Sequence, residues 1–362
     1  MTENAYIHIP FCRQKCKYCS FISYDEIKYK EQYLQTLSEE IKHSYKNELL
    51  KTLYFGGGTP SLLTTDEFKN LILLFKTDNT TEITAELNPE NLSQKYLYEL
   101  KKAGINRISI GCQTFRDDIL KNIGRKHTSE QVINVVNMAK TAGFDNISLD
   151  FIYGLPEQTT KDFEDDLLKA TELGIQHISL YGLKIDEGCY FKKHYPKNLP
   201  DDDIQAEMYL KAIEILTQKD FEHYEISNFA LKGYYSNHNM NYWNNNSYYG
   251  FGIAAHGYIN GIRYSNFTNF KDYFANPFET AYKKTLTKKE QLEEEIFLGL
   301  RKISGININS INSKYNINFE NKYDKIIKKY LDSGHLIKTD NGYKFSENGI
   351  LLSNYILADF LE

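Results

Sequence analysis

The segment Tyr6-Ile-His-Ile-Pro-Phe-Cys12-Arg-Gln-Lys-Cys16-Lys-Tyr-Cys19-Ser-Phe21 decides how the rest of the chain is interpreted. It places three thiols, those of Cys12, Cys16 and Cys19, within eight residues. Thiolates at such spacing wrap one side of a small metal centre, and a cubane iron–sulfur cluster held by three of them keeps one iron free for an outside ligand. The segment therefore predicts a cluster with an open coordination position.

Two other uses of these thiols compete with the cluster. A zinc site needs a fourth Cys or His to complete a tetrahedron, but His43 lies far along a predicted helix and His8 lies in a predicted strand. A disulfide framework needs an oxidising compartment and denser cysteine. Five Cys in 362 residues, without a signal sequence, favour the cluster.

The composition is that of an ordinary globular protein. The 362 residues, 41% hydrophobic and 25% charged, suffice for a large core and a smaller appended unit. A net charge of −5 disfavours nucleic acid as the default partner. No stretch approaches the roughly 18 apolar residues of a membrane span, and no secretory pattern opens the chain. We therefore expect a cytoplasmic protein.

Short apolar runs alternate with amphipathic stretches over residues 1–222. The predicted strands are residues 5–9, 53–55, 82–88, 107–111, 146–151 and 177–183, and the predicted helices are residues 26–49, 66–76, 94–103, 129–142, 161–173 and 202–219. Strands that alternate with helices of this length indicate a parallel sheet with helices outside it. The pattern predicts an α/β fold, a partial (β/α)6 barrel, as the core.

The rest of the chain divides into two parts. Residues 223–286 concentrate histidine, aromatic residues and glycine, and include the sequence His-Asn-Met-Asn-Tyr-Trp at 238–243. Residues 287–362 predict a small winged-helix-like domain, with helices at 290–301, 309–315, 323–333 and 347–361 and a two-stranded wing at 335–338 and 343–346. Because no helix of this unit is strongly basic, we expect it to serve as a packing module and not to bind DNA. The alternative, a winged-helix regulator that senses redox state through the cluster, would require DNA binding.

The cluster loop resembles that of the radical S-adenosylmethionine (SAM) superfamily, with the spacing C-x3-C-x2-C and an aromatic residue, Tyr18, before the last Cys. The run from Tyr6 through His8 to Cys12 narrows the resemblance to the coproporphyrinogen III oxidase-like (HemN/HemW) family, in which the tyrosine approaches SAM. The resemblance implies a [4Fe–4S] cluster on Cys12, Cys16 and Cys19, with SAM at the open iron.

Further motifs of that family imply SAM contacts at the carboxyl ends of the strands. Glycines after the second strand, Gly56-Gly57-Gly58-Thr59-Pro60, let the backbone come close to a ligand, and the family's GGGTP-type segment meets the SAM amino group. Carboxylates suit ribose hydroxyls, and arginine suits a carboxylate. The residues implied by resemblance are Gly57, Gly58, Thr59, Glu86, Gln113, Arg125 and Asp150.

The motif H-N-x-x-Y-W at 238–243 resembles the signature of the heme-chaperone branch, whose histidine has been implicated in heme binding. Imidazole is a natural axial ligand for heme iron. His238 is therefore the candidate ligand, and His256 is a second one. The oxidase branch carries a further cysteine where this chain has Phe21, and an N-terminal extension that is absent before Tyr6.

The resemblance thus implies a heme chaperone that binds a [4Fe–4S] cluster, SAM and heme and delivers heme to acceptor heme proteins. The alternative is a radical SAM oxidative decarboxylase of coproporphyrinogen III, because both need the same core motifs. The family allows a homodimer and acceptors that are membrane-associated. No nucleic-acid partner is expected, and no catalytic residue is assigned.

We predict that anaerobic reconstitution gives a cluster absorption band that the triple variant Cys12→Ala, Cys16→Ala, Cys19→Ala lacks, because it retains no thiolate for the irons. Visible absorption and electron paramagnetic resonance would measure it. Cys189→Ala is the matched control, since Cys189 and Cys112 lie outside the cluster spacing. An unchanged spectrum in the triple variant would contradict the cluster assignment.

Overall fold

A computed structural model describes residues 1–90 and 92–361. Asn91 and Glu362, which fall in the predicted core and the predicted C-terminal unit, lie outside the described residues. The strands of the core are β1 (Asn4–Ile9), β2 (Thr52–Gly57), β3 (Glu82–Leu87), β4 (Arg107–Gln113), β5 (Ile147–Tyr153) and β6 (His177–Gly182). The helices are α1 (Lys30–Ser44), α2 (Thr65–Ile72), α3 (Gln94–Lys102), α4 (Asp117–Asn122), α5 (Ser129–Thr141), α6 (Thr160–Glu172), α7 (Tyr190–Lys193) and α8 (Asp202–Gln218).

The parallel sheet is confirmed. Strands β1 to β6 pair with one another in chain order, and each pairing is parallel. Along β4 the side chains of Ile108 and Ile110 are fully buried in the hydrophobic core. The alternate positions, Ser109 and Gly111, line an internal cavity. Because successive strand residues point to opposite faces, the sheet has an apolar face under the helices and a polar face towards the barrel interior.

The helices begin where side chains cap them. Thr64, Thr128 and Thr159 each accept a hydrogen bond from the third residue of the following helix, which completes a capping box. Helix α1 is shorter than the predicted span of residues 26–49. It ends at Ser44, because Tyr45 is extended and Asn47 has a left-handed φ of 61°.

Residues 222–286 extend the core sheet at both edges and leave the barrel partial. Their elements are β7 (Glu222–Glu225), β8 (Asn228–Ala230), α9 (Asn237–Trp243), β9 (Tyr249–Phe251), β10 (His256–Ile259), β11 (Ile262–Ser265), α10 (Phe270–Ala275) and β12 (Tyr282–Thr285). Strand β8 pairs with β6, and β9 pairs with β1. The barrel stays partial because β7 and β9, the strands added at the two edges, do not pair with each other. The first turn of α9 donates backbone hydrogen bonds of 3.0 and 3.1 Å to Glu82, the first residue of β3. Helix α9 therefore covers the amino ends of the strands.

The C-terminal unit has its own core. Its elements are α11 (Lys288–Gly299), β13 (Ile306–Asn307), α12 (Ile308–Tyr315), α13 (Phe319–Lys322), α14 (Asp324–Asp332), β14 (Leu336–Thr339), β15 (Gly342–Phe345), α15 (Glu347–Leu351) and α16 (Ser353–Asp359). The wing is the antiparallel pair β14–β15. The predicted last helix, residues 347–361, is instead two helices that meet at Leu352. None of the helices within residues 1–90 and 92–361 has the length and apolar character to cross a membrane.

Glu40 joins α1 to the segment that follows β9. Its carboxylate accepts hydrogen bonds from the backbone N–H of Gly252 at 2.9 Å, the amide of Asn266 at 2.7 Å and the hydroxyl of Tyr273 at 2.6 Å. Burial raises the pKa of this carboxyl to about 7, although the three hydrogen bonds act in the opposite direction. The folded chain therefore favours the protonated form more than the unfolded chain does.

We predict that Glu40 makes the protein less stable as the pH rises. Its folded pKa of about 7 exceeds the ordinary 4.5, so its stabilising contribution is complete below the unfolded pKa and is lost as the pH rises through 7. Relative to Glu40→Gln, the wild-type free energy of unfolding should fall by about 2 kcal/mol between about pH 5 and pH 8. Urea unfolding measures this difference. The exposed neighbour Glu39→Gln is the control and should keep the wild-type pH dependence. Persistence of that dependence in Glu40→Gln would contradict the assignment.

Candidate functional site

A cavity of about 740 Å³ lies at the carboxyl ends of the core strands. Ligand sites in barrels of this type lie at the same end, because the loops after the strands converge there. The predicted site residues that line it are Cys12, Cys16, Cys19, Gly57, Gly58, Thr59, Glu86, Gln113, Arg125 and Asp150. Tyr6 and His238 line a smaller neighbouring cavity. The fold thus brings together the three cluster cysteines and the predicted SAM residues other than Tyr6.

The cluster loop is held by backbone hydrogen bonds to other parts of the chain. The N–H of Cys12 donates to the carbonyl of Tyr24 at 2.9 Å, and the N–H of Lys17 donates to the carbonyl of Ile123 at 3.0 Å. The Sγ of Cys12 lies 3.2 Å from the Oγ1 of Thr59. These contacts hold the loop in place against Tyr24 and the residues that follow β2 and α4.

The three cysteines are close enough to influence one another. Burial raises the pKa of the Cys19 thiol to about 11, and Cys16 and Cys12 add to this effect. A bound metal reverses such a shift, because a cation stabilises thiolates. The site therefore suits a cationic centre better than free thiols.

The donor set fits an iron–sulfur cluster. No three His, Cys, Asp or Glu side chains within residues 1–90 and 92–361 are arranged to hold a single metal ion. A cubane cluster has a different requirement, since each thiolate binds a separate iron. Three soft thiolates that line one cavity without converging on one point satisfy it.

The glycine segment is required by the cluster loop as well as by any ligand. A Cβ on Gly58 would lie 2.7 Å from the carbonyl oxygen of Phe11 and 3.1 Å from the Sγ of Cys12. Gly57 has a φ of +120°, and a Cβ there would lie 2.7 Å from the ring of His8. Only glycine fits these two positions without displacing β1 or the loop that follows it.

Two of the carboxylates that line the cavity, Glu86 and Asp150, are oriented by hydrogen bonds. Glu86 accepts hydrogen bonds from the Tyr54 hydroxyl at 2.9 Å and the Gly57 N–H at 3.2 Å. Asp150 accepts the Ser109 hydroxyl at 2.9 and 3.0 Å. Burial, assisted by Asp150, raises the pKa of Glu86 to about 7. Both groups can accept hydrogen bonds from a ligand with little reorganisation.

Arg125 and Gln113 reach the cavity through unusual backbone features. A β-bulge at Gly111–Gln113 leaves Gln113 with a φ of 69° and brings its side chain to the cavity wall. Arg125 donates to the carbonyl of Gly111 at 3.0 Å, and its other terminal nitrogen lies 3.7 Å from the Sγ of Cys16. Its positive charge thus lies beside the cluster loop.

His238 is buried, with only 1% of its surface exposed. Its Nδ1 lies 2.7 Å from the Thr52 hydroxyl, and its Nε2 lies 2.8 Å from the Tyr242 hydroxyl. Burial lowers the pKa of this imidazole to about 3. Both ring nitrogens are therefore engaged. The second candidate, His256, is exposed at the start of β10.

Tyr6 belongs to a hydrogen-bonded chain that supports the cluster loop. Its hydroxyl lies 3.0 Å from Nδ1 of His8, and Nε2 of His8 lies 2.9 Å from the carbonyl of Ile22. Three further residues that no sequence motif pointed to, Tyr54, Ser109 and Tyr181, also line these cavities. A weak sequence signal exists for two of them. Tyr54 and Ser109 each lie two residues before an inward-facing glycine and so share its face of the sheet.

Comparisons with known proteins show which family the chain belongs to. The radical SAM superfamily matches residues 6–170, and the HemN C-terminal domain matches residues 286–352. The chain is 38% identical over 372 residues to the heme chaperone HemW of Lactococcus lactis. The alignment covers 99% of this chain and 97% of that protein. This chain belongs to the HemW family. It is likewise 37% identical over 375 residues to the heme chaperone HemW of Bacillus subtilis, with 99% of both chains covered.

A solved structure shows the fold of the HemW-family chain in a related enzyme. Coproporphyrinogen III oxidase (HemN) from Escherichia coli, a radical SAM enzyme, superimposes with a TM-score of 0.87 at 22% identity, covering 99% of this chain and 89% of that one. The α/β core is therefore confirmed as a radical SAM fold, and the C-terminal unit is a HemN C-terminal domain. Membership of the superfamily implies a [4Fe–4S] cluster and SAM.

We predict that Gly58→Ala weakens SAM binding by about tenfold or more, because the added methyl group overpacks the cluster loop by roughly 1–3 kcal/mol. Equilibrium binding of SAM and the cluster absorption of the same preparation would measure it. Gly143→Ala is the control for general destabilisation: its φ is +88°, but no atom lies within 4 Å of the added carbon. Wild-type affinity in Gly58→Ala would show that the close packing is not required.

Proposed function

We propose that this protein is a heme chaperone that holds a [4Fe–4S] cluster and SAM in the larger cavity, binds heme and delivers it to acceptor heme proteins. The observation that carries the proposal is the common cavity of the three cysteines, the glycine segment and the strand-end carboxylates. The names of the relatives, heme chaperones at 38% and 37% identity, support heme as the cargo.

The predicted site residues have different roles in this proposal. Cys12, Cys16 and Cys19 hold the cluster, which supplies an electron and an open iron. Arg125 pairs with the SAM carboxylate, because a guanidinium matches a carboxylate in two hydrogen bonds. Glu86 and Asp150 accept hydrogen bonds from the ribose hydroxyls, and the backbone at Gly57, Gly58 and Thr59 meets the amino group. Tyr6 supports the loop through His8.

We propose His238 as the heme ligand, with one requirement that the geometry imposes. Axial ligation needs a free imidazole nitrogen, and Nε2 of His238 is held by Tyr242. Heme binding therefore requires that Nε2 leave the Tyr242 hydroxyl and, because His238 is buried, that α9 move to expose its ring. The exposed His256 offers an imidazole without such a movement and is the alternative ligand.

The proposal extends to the cellular setting of the protein. We place the chaperone in the cytoplasm, where its five free cysteines stay reduced. Its acceptors are heme proteins, including membrane-associated ones, and two chains form a homodimer. Pull-down with heme-loaded protein tests for the acceptors. Sedimentation analysis in solution gives the mass of the assembly and so tests for the homodimer.

We predict that heme binds the anaerobically reconstituted protein in a stoichiometric complex and that His238→Ala weakens it by about tenfold or more, because a metal–ligand bond is lost. Tyr242→Phe should accelerate binding, since it frees Nε2 without removing the ring. Titration followed at the heme absorption band gives the affinity, and stopped flow gives the rate. Retained affinity in His238→Ala combined with loss in His256→Ala would move the ligand to His256.

Turnover of coproporphyrinogen III on the same preparation tests the oxidase alternative. Phe21 lines the larger cavity and is 69% exposed where the oxidase branch carries its extra cysteine. We expect no protoporphyrinogen to form with SAM and a reductant. Turnover without a stable heme complex would make the protein an oxidase and overturn the chaperone proposal.

A further inference from the structure

The barrel interior contains a buried cation whose hydrogen-bonding capacity is not used. Arg107, the first residue of β4, has only 2% of its surface exposed. Among residues 1–90 and 92–361, its Nε has no hydrogen-bond partner and no ion pair includes it. Burying an ionised side chain is costly unless its charge and donors are satisfied. A guanidinium in this state therefore points to a ligand.

Arg107 lines the smaller cavity, which has a volume of about 200 Å³. Helix α9 bounds it on one side through His238, Asn239 and Tyr242. On the other side it shares Glu86, Ser109 and Tyr181 with the larger cavity. The other residues that line it are Tyr6, Tyr54 and Ser179. A ligand group can therefore enter from the larger cavity and reach the guanidinium.

The nearby carboxylates do not occupy the guanidinium. Burial raises the pKa of both Glu86 and Asp150, and the positive charge of Arg107 opposes that rise. Yet the oxygens of Glu86 are held by Tyr54 and the backbone of Gly57, and those of Asp150 by serine hydroxyls. Balancing these two charges is one role of Arg107. Its hydrogen-bond donors are left for a further group.

We propose that the smaller cavity is a second binding site, in which Arg107 binds a carboxylate. The planar fork of a guanidinium matches a carboxylate in two parallel hydrogen bonds, which a buried water cannot provide. The volume of about 200 Å³ lies below that of drug-sized pockets, so the cavity takes a small carboxylate or the carboxylate end of a side chain. It does not take a macrocycle.

Two sources supply this chemistry. One is a free small carboxylate. The other is a carboxylate arm of a larger ligand in the adjoining cavity, such as a propionate of heme, and this second source alone rests on the proposed function. The site itself is argued from the barrel interior and stands whether or not heme is the cargo.

The experiment uses anaerobically reconstituted protein with SAM at saturation. The site of the SAM carboxylate is then occupied, so an added carboxylate reports binding elsewhere. Trifluoroacetate is titrated and followed by fluorine nuclear magnetic resonance. We expect saturable binding that Arg107→Gln weakens at least tenfold. Arg116→Gln, a partly exposed arginine that lines neither cavity, is the matched control and should bind like the wild type.

A second measurement keeps the test valid if Arg107→Gln does not fold. Wild-type crystals soaked in 3-bromopropionate should show an anomalous bromine peak in the smaller cavity, with the carboxylate on the Arg107 guanidinium. Equal binding in wild type and a folded Arg107→Gln, a bromine peak elsewhere only, or ordered water alone in the cavity would overturn the proposal.

Competition distinguishes the two sources. Tin mesoporphyrin, which has free propionates, is added to the trifluoroacetate complex, and its dimethyl ester is added in parallel. Displacement by the free acid but not by the ester assigns the site to a carboxylate arm of a tetrapyrrole. Displacement by neither assigns it to a free small carboxylate. If the protein bound neither heme nor either tin porphyrin, the proposed function would be wrong. The trifluoroacetate result would still stand.

Discussion

The parallel pairing of β1 with β2 is the constraint on which the site depends. In this register His8 lies beside Gly56 and Ile9 beside Gly57. The cluster loop that leaves β1 and the glycine segment that leaves β2 therefore emerge side by side. Their contact is so close that a Cβ on Gly58 would meet Phe11 and Cys12. The cysteine spacing and the glycine run are two halves of one packing arrangement.

The barrel interior is polar, with the larger cavity at one end and helix α9 at the other. Each core strand has an apolar face towards the helices, and this face supplies the main hydrophobic cluster. The inner face carries Glu86, Arg107 and Asp150, whose burial is costly. Hydroxyl groups, backbone N–H groups and mutual charge offset that cost. A barrel with an apolar interior would be simpler to stabilise but would lack these groups.

The motif of residues 238–243 lies at the amino ends of the strands, whereas the cluster loop lies at their carboxyl ends. One aromatic residue connects the two ends. The ring of Tyr54 stacks on that of His238 at 4.9 Å, and its hydroxyl bonds to Glu86. A movement of α9 would therefore reach the carboxylate of the larger cavity through a single side chain.

The order of the core strands, their parallel pairing, the family and ten of the residues that line the larger cavity could be predicted from the sequence. Local patterns carry this information, because cysteine spacing, glycine runs and periodicity are short-range features. The tertiary structure was needed to locate the end of α1 and the break in the last helix. It was also needed to show that strands within residues 222–251 join the core sheet. It also decided that His238 is buried and that Arg107 faces a cavity, since burial depends on segments distant in the chain.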